Sequence, residues 1–126
     1  MKPMKKIEAI IRESKFEAVK DALLIVGIDS FTYDECKGVG KQKKSGGVYR
    51  GTVNTWGDIN RYKLTIVVQD TDMRKTVNCI MDTAYTGEIG DGKIFVSTLE
   101  DSWSIRTKEN GDNSLEQKQS LQYARV

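Results

Sequence analysis

The sequence predicts an α+β domain in which a strand–helix–strand unit occurs twice. In each half, a short apolar run precedes a segment with helical spacing of apolar residues, and another apolar run completes the unit. A chain of 126 residues is long enough for one domain with a buried core. Two such units predict a ferredoxin-like βαββαβ sandwich, with one antiparallel sheet and both helices on one face.

The first half begins with a strand predicted over residues 6–11, an apolar and β-branched run. Ser14 and Glu17 form a capping-box pattern, so the first helix is predicted to begin there. Gly27 is placed to end that helix, and loose alternation predicts a second strand over residues 30–37. The apolar face of the helix would consist of Phe16, Val19, Leu23 and Val26.

The second half begins with a strand predicted over residues 62–68. Asp70, Thr71 or Asp72 is expected to cap the helix that follows, and a strand over residues 93–99 ends the unit. The apolar face of this helix would consist of Met73, Val77, Ile80, Met81 and Ala84.

The end of the chain carries weaker signals. Residues 102–107 are a candidate for a further short strand, with Trp103 as a packing residue. The polar residues from Asn110 onward predict a frayed tail. The expected organisation is a domain over residues 1–112 followed by a flexible tail over residues 113–126.

One face of the predicted sheet is left without helices. Two helices cannot cover all the apolar residues that the strands carry, and a soluble protein rarely exposes a large apolar patch. Self-association that closes the open faces together is therefore expected. The apolar residues that two helices cannot all cover include Ile10, Phe31, Ile66, Val68 and Phe95.

The composition argues against several classes of function. Hydrophobic residues make up 38% of the chain and charged residues 30%, and a net charge of +2 does not indicate nucleic acid or membrane as a partner. Neither a spanning apolar run nor a signal peptide is recognisable, so a cytoplasmic protein is expected. Cys36 and Cys79 lack metal-ligand spacing and are expected to be packed thiols and not a disulfide. The chain has no histidine, which removes the common nucleophile–base pairs, and no enzymatic activity is expected.

Residues 86–96 combine three glycines, an aspartate and a lysine with the start of a hydrophobic strand. Successive backbone amides in such a loop form a concave anion site, and a lysine adds a point charge. The pattern therefore predicts a phosphate cradle. A tight turn before the strand is the alternative that the residues leave open.

A glycine-rich segment without periodicity, residues 38–60, joins the two halves and is predicted to be a long loop. From Gly38 to Arg61 five basic residues stand against Asp58 alone, a net charge of +4, so the remainder of the chain carries −2. A basic loop on a mildly acidic body predicts an anionic ligand or an acidic or carbonyl-lined partner surface. A solvated loop without a ligand is the alternative.

Five segments together resemble the PII signal-transduction proteins of the GlnB/GlnK type, in order and spacing. The run Thr-Gly-x-Ile-Gly-Asp-Gly-Lys-Ile-Phe-Val is highly specific to that family. The resemblance covers residues 4 to about 112. The segments are residues 6–12, 38–43, 49–51, 86–96 and 105–107.

This resemblance implies a homotrimer of ferredoxin-like subunits that binds ATP or ADP in clefts between neighbouring subunits. It also implies 2-oxoglutarate beside MgATP at the base of the long loop. Residues 40–58 would form the family's T-loop, residues 86–93 its B-loop and residues about 104–112 its C-loop. Tyr49 and Arg50 would dock onto a protein target, expected to be an ammonium transporter, so that the membrane is met indirectly.

The resemblance also implies the binding residues, with the B-loop supplied by one subunit and Arg106 by another. The nucleotide would contact Thr32, Gly38, Gly40, Lys41, Gln42, Val67, Gly90, Asp91, Gly92, Lys93 and Arg106. Mg²⁺ and 2-oxoglutarate would contact Gln42, and the 2-oxoglutarate site would also include Lys43, Arg61 and Gly90.

Several positions depart from the family pattern. Asn54 stands where many members carry a uridylylated tyrosine, so that modification is expected to be absent. Arg61 replaces the lysine that pairs with a carboxylate of 2-oxoglutarate, which keeps the charge but changes its shape. Lys41 and Ser104 replace arginines of the cleft, and Lys44 replaces a glycine. These changes leave open whether 2-oxoglutarate is sensed and whether ATP is preferred to ADP.

Two alternatives remain open at the level of function. An RNA-binding ferredoxin-like domain would carry the aromatic signature of an RRM, which this chain lacks. A PII-like regulator of nitrogenase, or of another transporter or enzyme, would respond to adenine nucleotides without 2-oxoglutarate.

Overall fold

The computed structural model describes residues 3–43 and 54–115, with the side chains of residues 40–43 and 54–58 not described. The described chain forms one antiparallel sheet of four strands, in the order β2-β3-β1-β4, and two α-helices. The predicted α+β fold with a βαββαβ arrangement is thereby confirmed. The elements are β1 Met4–Arg12, α1 Phe16–Ile25, β2 Thr32–Lys43, β3 Asn54–Gln69, α2 Asp70–Ala84 and β4 Gly92–Leu99.

The core lies between the helices and one face of the sheet. Alternate residues of β1 are buried against the helices, and the register places Ile7 opposite Ile66 of β3, so these two side chains share that face. Of the five apolar residues that two helices were expected not to cover completely, Ile66 and Val68 are buried in this core. Phe31 also packs partly against the core. Ile10 is half-buried and Phe95 is half exposed.

Helix α2 buries a slightly different stripe from the one predicted. Ile80 and Ala84 are buried, whereas Met81 is half exposed. Thr76 is fully buried as well. Its hydroxyl is satisfied there, since it donates a hydrogen bond of 2.7 Å to the carbonyl of Asp72 one turn earlier.

The predicted helix caps are wrong at both N-termini. A short 3₁₀ turn, Glu13–Lys15, precedes α1, whose N-cap is Lys15, and no side chain makes a capping hydrogen bond. The chain enters α2 directly from β3, so that Gln69 is the N-cap. Asp70 and Asp72 lie in the first helical turn, where a negative charge interacts favourably with the helix dipole.

The predicted end of α1 at Gly27 is confirmed. Gly27 has φ = 91° and donates a hydrogen bond to the carbonyl of Leu24, while the Ile28 amide reaches the carbonyl of Leu23 at 2.9 Å. This pair of bonds is a Schellman motif, and its left-handed residue favours glycine.

The long loop is shorter than predicted, because β2 and β3 extend into residues 38–60. Gly38 pairs with Ile59, and Gly40 pairs with Gly57. Strand pairing uses backbone groups, so a glycine-rich segment without apolar alternation can still form a ladder. The part of the predicted loop over residues 44–53 lies outside the described residues.

The segment after β4 differs from the predicted strand and frayed tail. An isolated bridge joins Trp103 to Asn110 in place of a strand, and Trp103 is 66% exposed, which contradicts its predicted packing role within this chain. The Asp101 carboxylate accepts hydrogen bonds from Ser102, Asn110 and Gly111 and closes the segment. A 3₁₀ turn, Gly111–Ser114, follows and buries both of its terminal residues, so this part of the predicted frayed tail is folded. The tail over 116–126 lies outside the described residues.

Candidate functional site

The glycine loop, residues 86–92, connects α2 to β4. Its three glycines have positive φ angles of 89° at Gly87, 101° at Gly90 and 114° at Gly92, which other residues rarely adopt. A Cβ atom at Gly92 would lie 1.8 Å from the carbonyl oxygen of Ile10, so glycine is also required by the close approach of β1. The backbone of the loop is therefore specified by its glycines.

Asp91 closes this loop from within. One of its oxygens accepts hydrogen bonds from the amides of Thr86, at 2.8 Å, and Gly87, at 2.9 Å, and the other accepts one from the Thr86 hydroxyl. The Thr86 hydroxyl oxygen in turn accepts a bond of 3.1 Å from the Glu88 amide. The carboxylate thus faces the loop itself and positions the backbone.

Arg12, at the end of β1, fastens the loop to the sheet. Its Nε lies 2.9 Å from Asp91 Oδ1, and its terminal nitrogen donates a bond of 3.0 Å to the carbonyl of Ile89. Burial raises the pKa of Asp91, but the hydrogen bonds from Thr86, Arg12 and Gly87 outweigh it and hold that pKa well below its usual range. Asp91 therefore stays ionised and paired with Arg12 at neutral pH.

The closed loop leaves donors available for an anion. No described residue accepts a hydrogen bond from the amides of Ile89 or Gly90. Lys93 follows on the sheet face that carries no helix, with an exposed side chain. Consecutive amides beside a glycine in the left-handed region, together with a lysine, form a recognised anion-binding arrangement. The geometry fits a phosphate group and favours the cradle over a simple turn.

Arg61 is a second feature of the site. It lies in β3 directly opposite Arg12 and has 9% of its surface exposed, and its side chain forms no hydrogen bond or ion pair with any other described residue. Burial, and then the neighbouring charge of Arg12, lowers the pKa of Arg61. Because an unpaired buried charge is unfavourable, this guanidinium fits the binding of an anionic group.

Arg61 lines a small open cleft of about 300 Å³. A Cβ atom at position 38 would lie 3.9 Å from Arg61 Cγ, which is an ordinary van der Waals contact, so β2 runs directly beside the arginine stem. The cleft is lined by Glu13, Glu35, Cys36, Lys37, Asn60 and Arg61.

The remaining predicted residues do not meet the glycine loop within one chain. Thr32 in β2 and Val67 in β3 lie on the far side of β1 from the loop. β2 and β4 are the two edges of the sheet, and three strand spacings separate them, about 14 Å. Arg106 lies in an exposed turn after β4. The predicted contacts therefore form two separate groups in the monomer.

Several predicted residues are placed less completely. Gly40, Lys41, Gln42 and Lys43 belong to β2, but the structure does not describe their side chains. Tyr49 and Arg50 lie outside the described residues.

Arg12 is the functional residue that sequence reasoning missed. It lies 79 positions before Asp91 in the chain, and no local pattern marks such a pair. The available signal was a charged residue at the end of an apolar strand, which is too common to indicate a contact.

Some other chemistries find no support in the described part of the chain. No group of three or more cysteine, aspartate or glutamate side chains there is arranged to hold a metal ion. Among the helices of residues 3–43 and 54–115, none has the length and apolarity needed to cross a membrane.

Comparison with known proteins agrees with the fold and identifies the family. A family model described as nitrogen regulatory protein P-II matches residues 4–109. Nitrogen regulatory protein P-II of Azospirillum brasilense is 42% identical over 112 residues, which cover 89% of this chain and all of that protein. Nitrogen regulatory protein P-II 1 of Methanothermobacter thermautotrophicus is 44% identical over 115 residues, which cover 91% of this chain and all of that protein.

A solved structure gives the same result at the level of the fold. A complex of B. subtilis GlnK with ATP superimposes with a TM-score of 0.74 at 31% identity, covering 90% of this chain and 98% of that one. The family model spans most of the chain, and both relatives are matched over their full length at 40% identity or more. The chain therefore belongs to the nitrogen regulatory protein P-II family.

Proposed function

We propose that this protein is a trimeric, non-enzymatic regulator that binds ATP or ADP between subunits and acts on a protein target through residues 40–58. The observation that carries the proposal is the glycine loop. Asp91 and Arg12 hold its backbone, so the amides of Ile89 and Gly90 and the side chain of Lys93 are left for a phosphate.

The location of the site between subunits is supported by the sheet. Thr32 lies at one edge and Lys93 at the other, with β3 and β1 between them, so these predicted contacts are not adjacent within one chain. A neighbouring subunit that brings its β2 and β3 to the glycine loop would unite the two groups. The similarity to a GlnK structure solved with ATP supports this nucleotide.

The unpaired guanidinium of Arg61 supports a second, anionic ligand. We assign it to a carboxylate of 2-oxoglutarate, with Gln42, Lys43 and Gly90 completing the site and Mg²⁺ held by Gln42 together with the nucleotide. Arginine offers a carboxylate two parallel donors where lysine offers a point charge. The substitution at this position is therefore compatible with carboxylate binding.

The target is proposed to be an ammonium transporter, reached from the cytoplasm through Tyr49 and Arg50. A different target, such as nitrogenase or another transporter or enzyme, is the second candidate, in which adenine nucleotides act without 2-oxoglutarate. In either case the ligand must bind one conformation of the docking segment more tightly than the other in order to regulate it.

Isothermal titration calorimetry with MgATP and MgADP tests the nucleotide site. Lys93→Met should weaken ATP binding by about tenfold or more through the loss of a charge-assisted phosphate contact. Lys20→Met on α1, where the lysine pairs with Glu17, is the matched control and should bind like the wild type. The proposal fails if the wild type binds neither nucleotide at millimolar concentration. It also fails if Lys93→Met binds ATP as tightly as Lys20→Met.

Two further measurements test the assembly and the target. Light scattering should give a mass near three times the 14.2 kDa of the chain. A purified ammonium transporter in detergent should retain the wild type and lose it upon Arg50→Ala. A change of retention on adding 2-oxoglutarate supports regulation by that ligand, and equal retention with and without it supports regulation by adenine nucleotides alone. No retention in either condition directs the search to another target.

A further inference from the structure

Cys36 lies beside the unpaired guanidinium of Arg61. The two residues are directly opposite in the antiparallel ladder of β2 and β3, so their side chains leave the same face of the sheet about 5 Å apart at Cβ. Both line the open cleft of about 300 Å³ described above. Cys36 is a free thiol of intermediate exposure. In the single chain, this residue is therefore partly exposed to solvent.

A buried arginine lies next to this thiol. Arg61 is buried to nine-tenths, and its side chain forms no hydrogen bond or ion pair with any other described residue, although the charge of Asp91 acts on it from the glycine loop. The cleft lining also includes Lys37 and two acidic residues, Glu13 and Glu35. Glu35 accepts a hydrogen bond of 3.1 Å from the Tyr62 hydroxyl. An adjacent arginine stabilises an anionic sulfur.

Cys79 provides the contrast within the same molecule. It lies in α2, also partly exposed, but burial and then the nearby Asp82 raise the pKa of its thiol, with a hydrogen bond involving Thr83 acting in the opposite direction. Its surroundings disfavour the thiolate, which is the reactive form. The two thiols therefore differ in one respect: Cys36 lies opposite a buried arginine in the strand ladder, and Cys79 lies near Asp82 on a helix.

We propose that Cys36 is a site of reversible oxidation by small peroxides, with Arg61 stabilising the anionic sulfur before and after the reaction. The thiolate attacks one oxygen of hydrogen peroxide, so that an S–O bond forms as the O–O bond breaks. The leaving hydroxide takes the proton of the new S–OH group and becomes water. Sulfur is oxidised by two electrons, the peroxide is reduced, and the product is a sulfenate beside the guanidinium.

The test compares the two cysteines in the intact protein. The reduced chain is treated with hydrogen peroxide in the presence of dimedone, which traps sulfenic acid, and each cysteine peptide is quantified by mass spectrometry. Cys36 should be labelled about tenfold faster than Cys79. In a second experiment dithiothreitol is added after the peroxide and before dimedone. This treatment should abolish labelling of Cys36, because it reduces the sulfenate back to the thiol. Equal rates at the two cysteines, or labelling that dithiothreitol does not prevent, would overturn the proposal.

Variants at position 61 test the role of the charge. Arg61→Met keeps much of the length and removes the cation, and should slow labelling of Cys36 about fivefold or more while leaving Cys79 unchanged. Arg61→Lys should restore most of the rate. An unchanged rate in Arg61→Met refutes the role of the arginine. If circular dichroism shows that Arg61→Met is unfolded, the test uses the wild type and Arg61→Lys instead. The deciding quantity is then the labelling rate of Cys36 divided by that of Cys79 in each protein.

Discussion

Replacing Asp91 by asparagine removes one charge from the glycine loop and changes the shape of the side chain very little. The carboxylate receives donors on both oxygens, with Arg12 on one and the amides of Thr86 and Gly87 on the other. An asparagine has one accepting oxygen. In either orientation its NH₂ group must face donors that have lost their acceptor.

The expected loss is about 2 kcal/mol of unfolding free energy, since an unsatisfied donor costs about 1–3 kcal/mol. The ion pair with Arg12 adds little, because its two side chains are 21% and 24% exposed and solvent screens the charges. Urea unfolding at one fixed protein concentration measures the loss, because assembly also contributes to stability. Asp21→Asn, at an exposed position of α1, is the matched control.

The pH dependence gives the same prediction a second readout. The pKa of Asp91 is depressed in the folded protein, so its stabilisation is complete above the unfolded value, near 4, and is lost as the pH falls towards the folded value. The stability difference between wild type and Asp91→Asn should therefore shrink below about pH 4. If Asp91→Asn unfolds within about 0.5 kcal/mol of Asp21→Asn at pH 7, the carboxylate does not hold the loop.

Three further predictions concern the backbone and the clamp. Arg12→Lys should weaken ATP binding by calorimetry about threefold to tenfold, because lysine cannot reach Asp91 and the Ile89 carbonyl with one rigid fork; binding equal to wild type would exclude this clamp. Gly92→Ala should lose about 3 kcal/mol or more in urea unfolding, or fail to fold, since its Cβ would overlap the carbonyl oxygen of Ile10; a soluble variant of normal stability would contradict the described approach of β1. Gly27→Ala should cost about 1 kcal/mol in the same assay, because alanine is strained at φ = 91°; an unchanged midpoint would argue against the Schellman motif.

The sequence by itself determined the order of strands and helices. The apolar spacing of α1 and the β-branched run of β1 are local patterns, and the periods of helices and strands follow from backbone geometry. Gly27 likewise marks the end of α1, because its left-handed conformation is a local requirement. The glycine loop was recognisable for the same reason, since its glycines and Lys93 are close in sequence.

Tertiary structure decided what no local pattern contains. The pairing of Gly38 with Ile59 depends on a partner strand, so the sequence predicted a loop where a ladder forms. The burial of Ile66 follows from its register opposite Ile7, since a shift by one residue would place it on the other face. Helix N-termini were misplaced because the junction of β3 and α2 at Gln69 is set by the packing of both elements.

The candidate site likewise has a part that is local in sequence and a part that only tertiary contacts create. The glycine loop, which is proposed to bind a phosphate, is one continuous segment, so its glycines and Lys93 could be recognised in the sequence. The contact of Arg12 with Asp91, and the position of Arg61 beside Cys36, arise when β1 and β2 pair with β3 and when β4 follows the loop. Electrostatic interactions act through space and not along the chain. A sequence therefore shows which charges exist, and the fold decides which of them are neutralised and which remain available for a ligand.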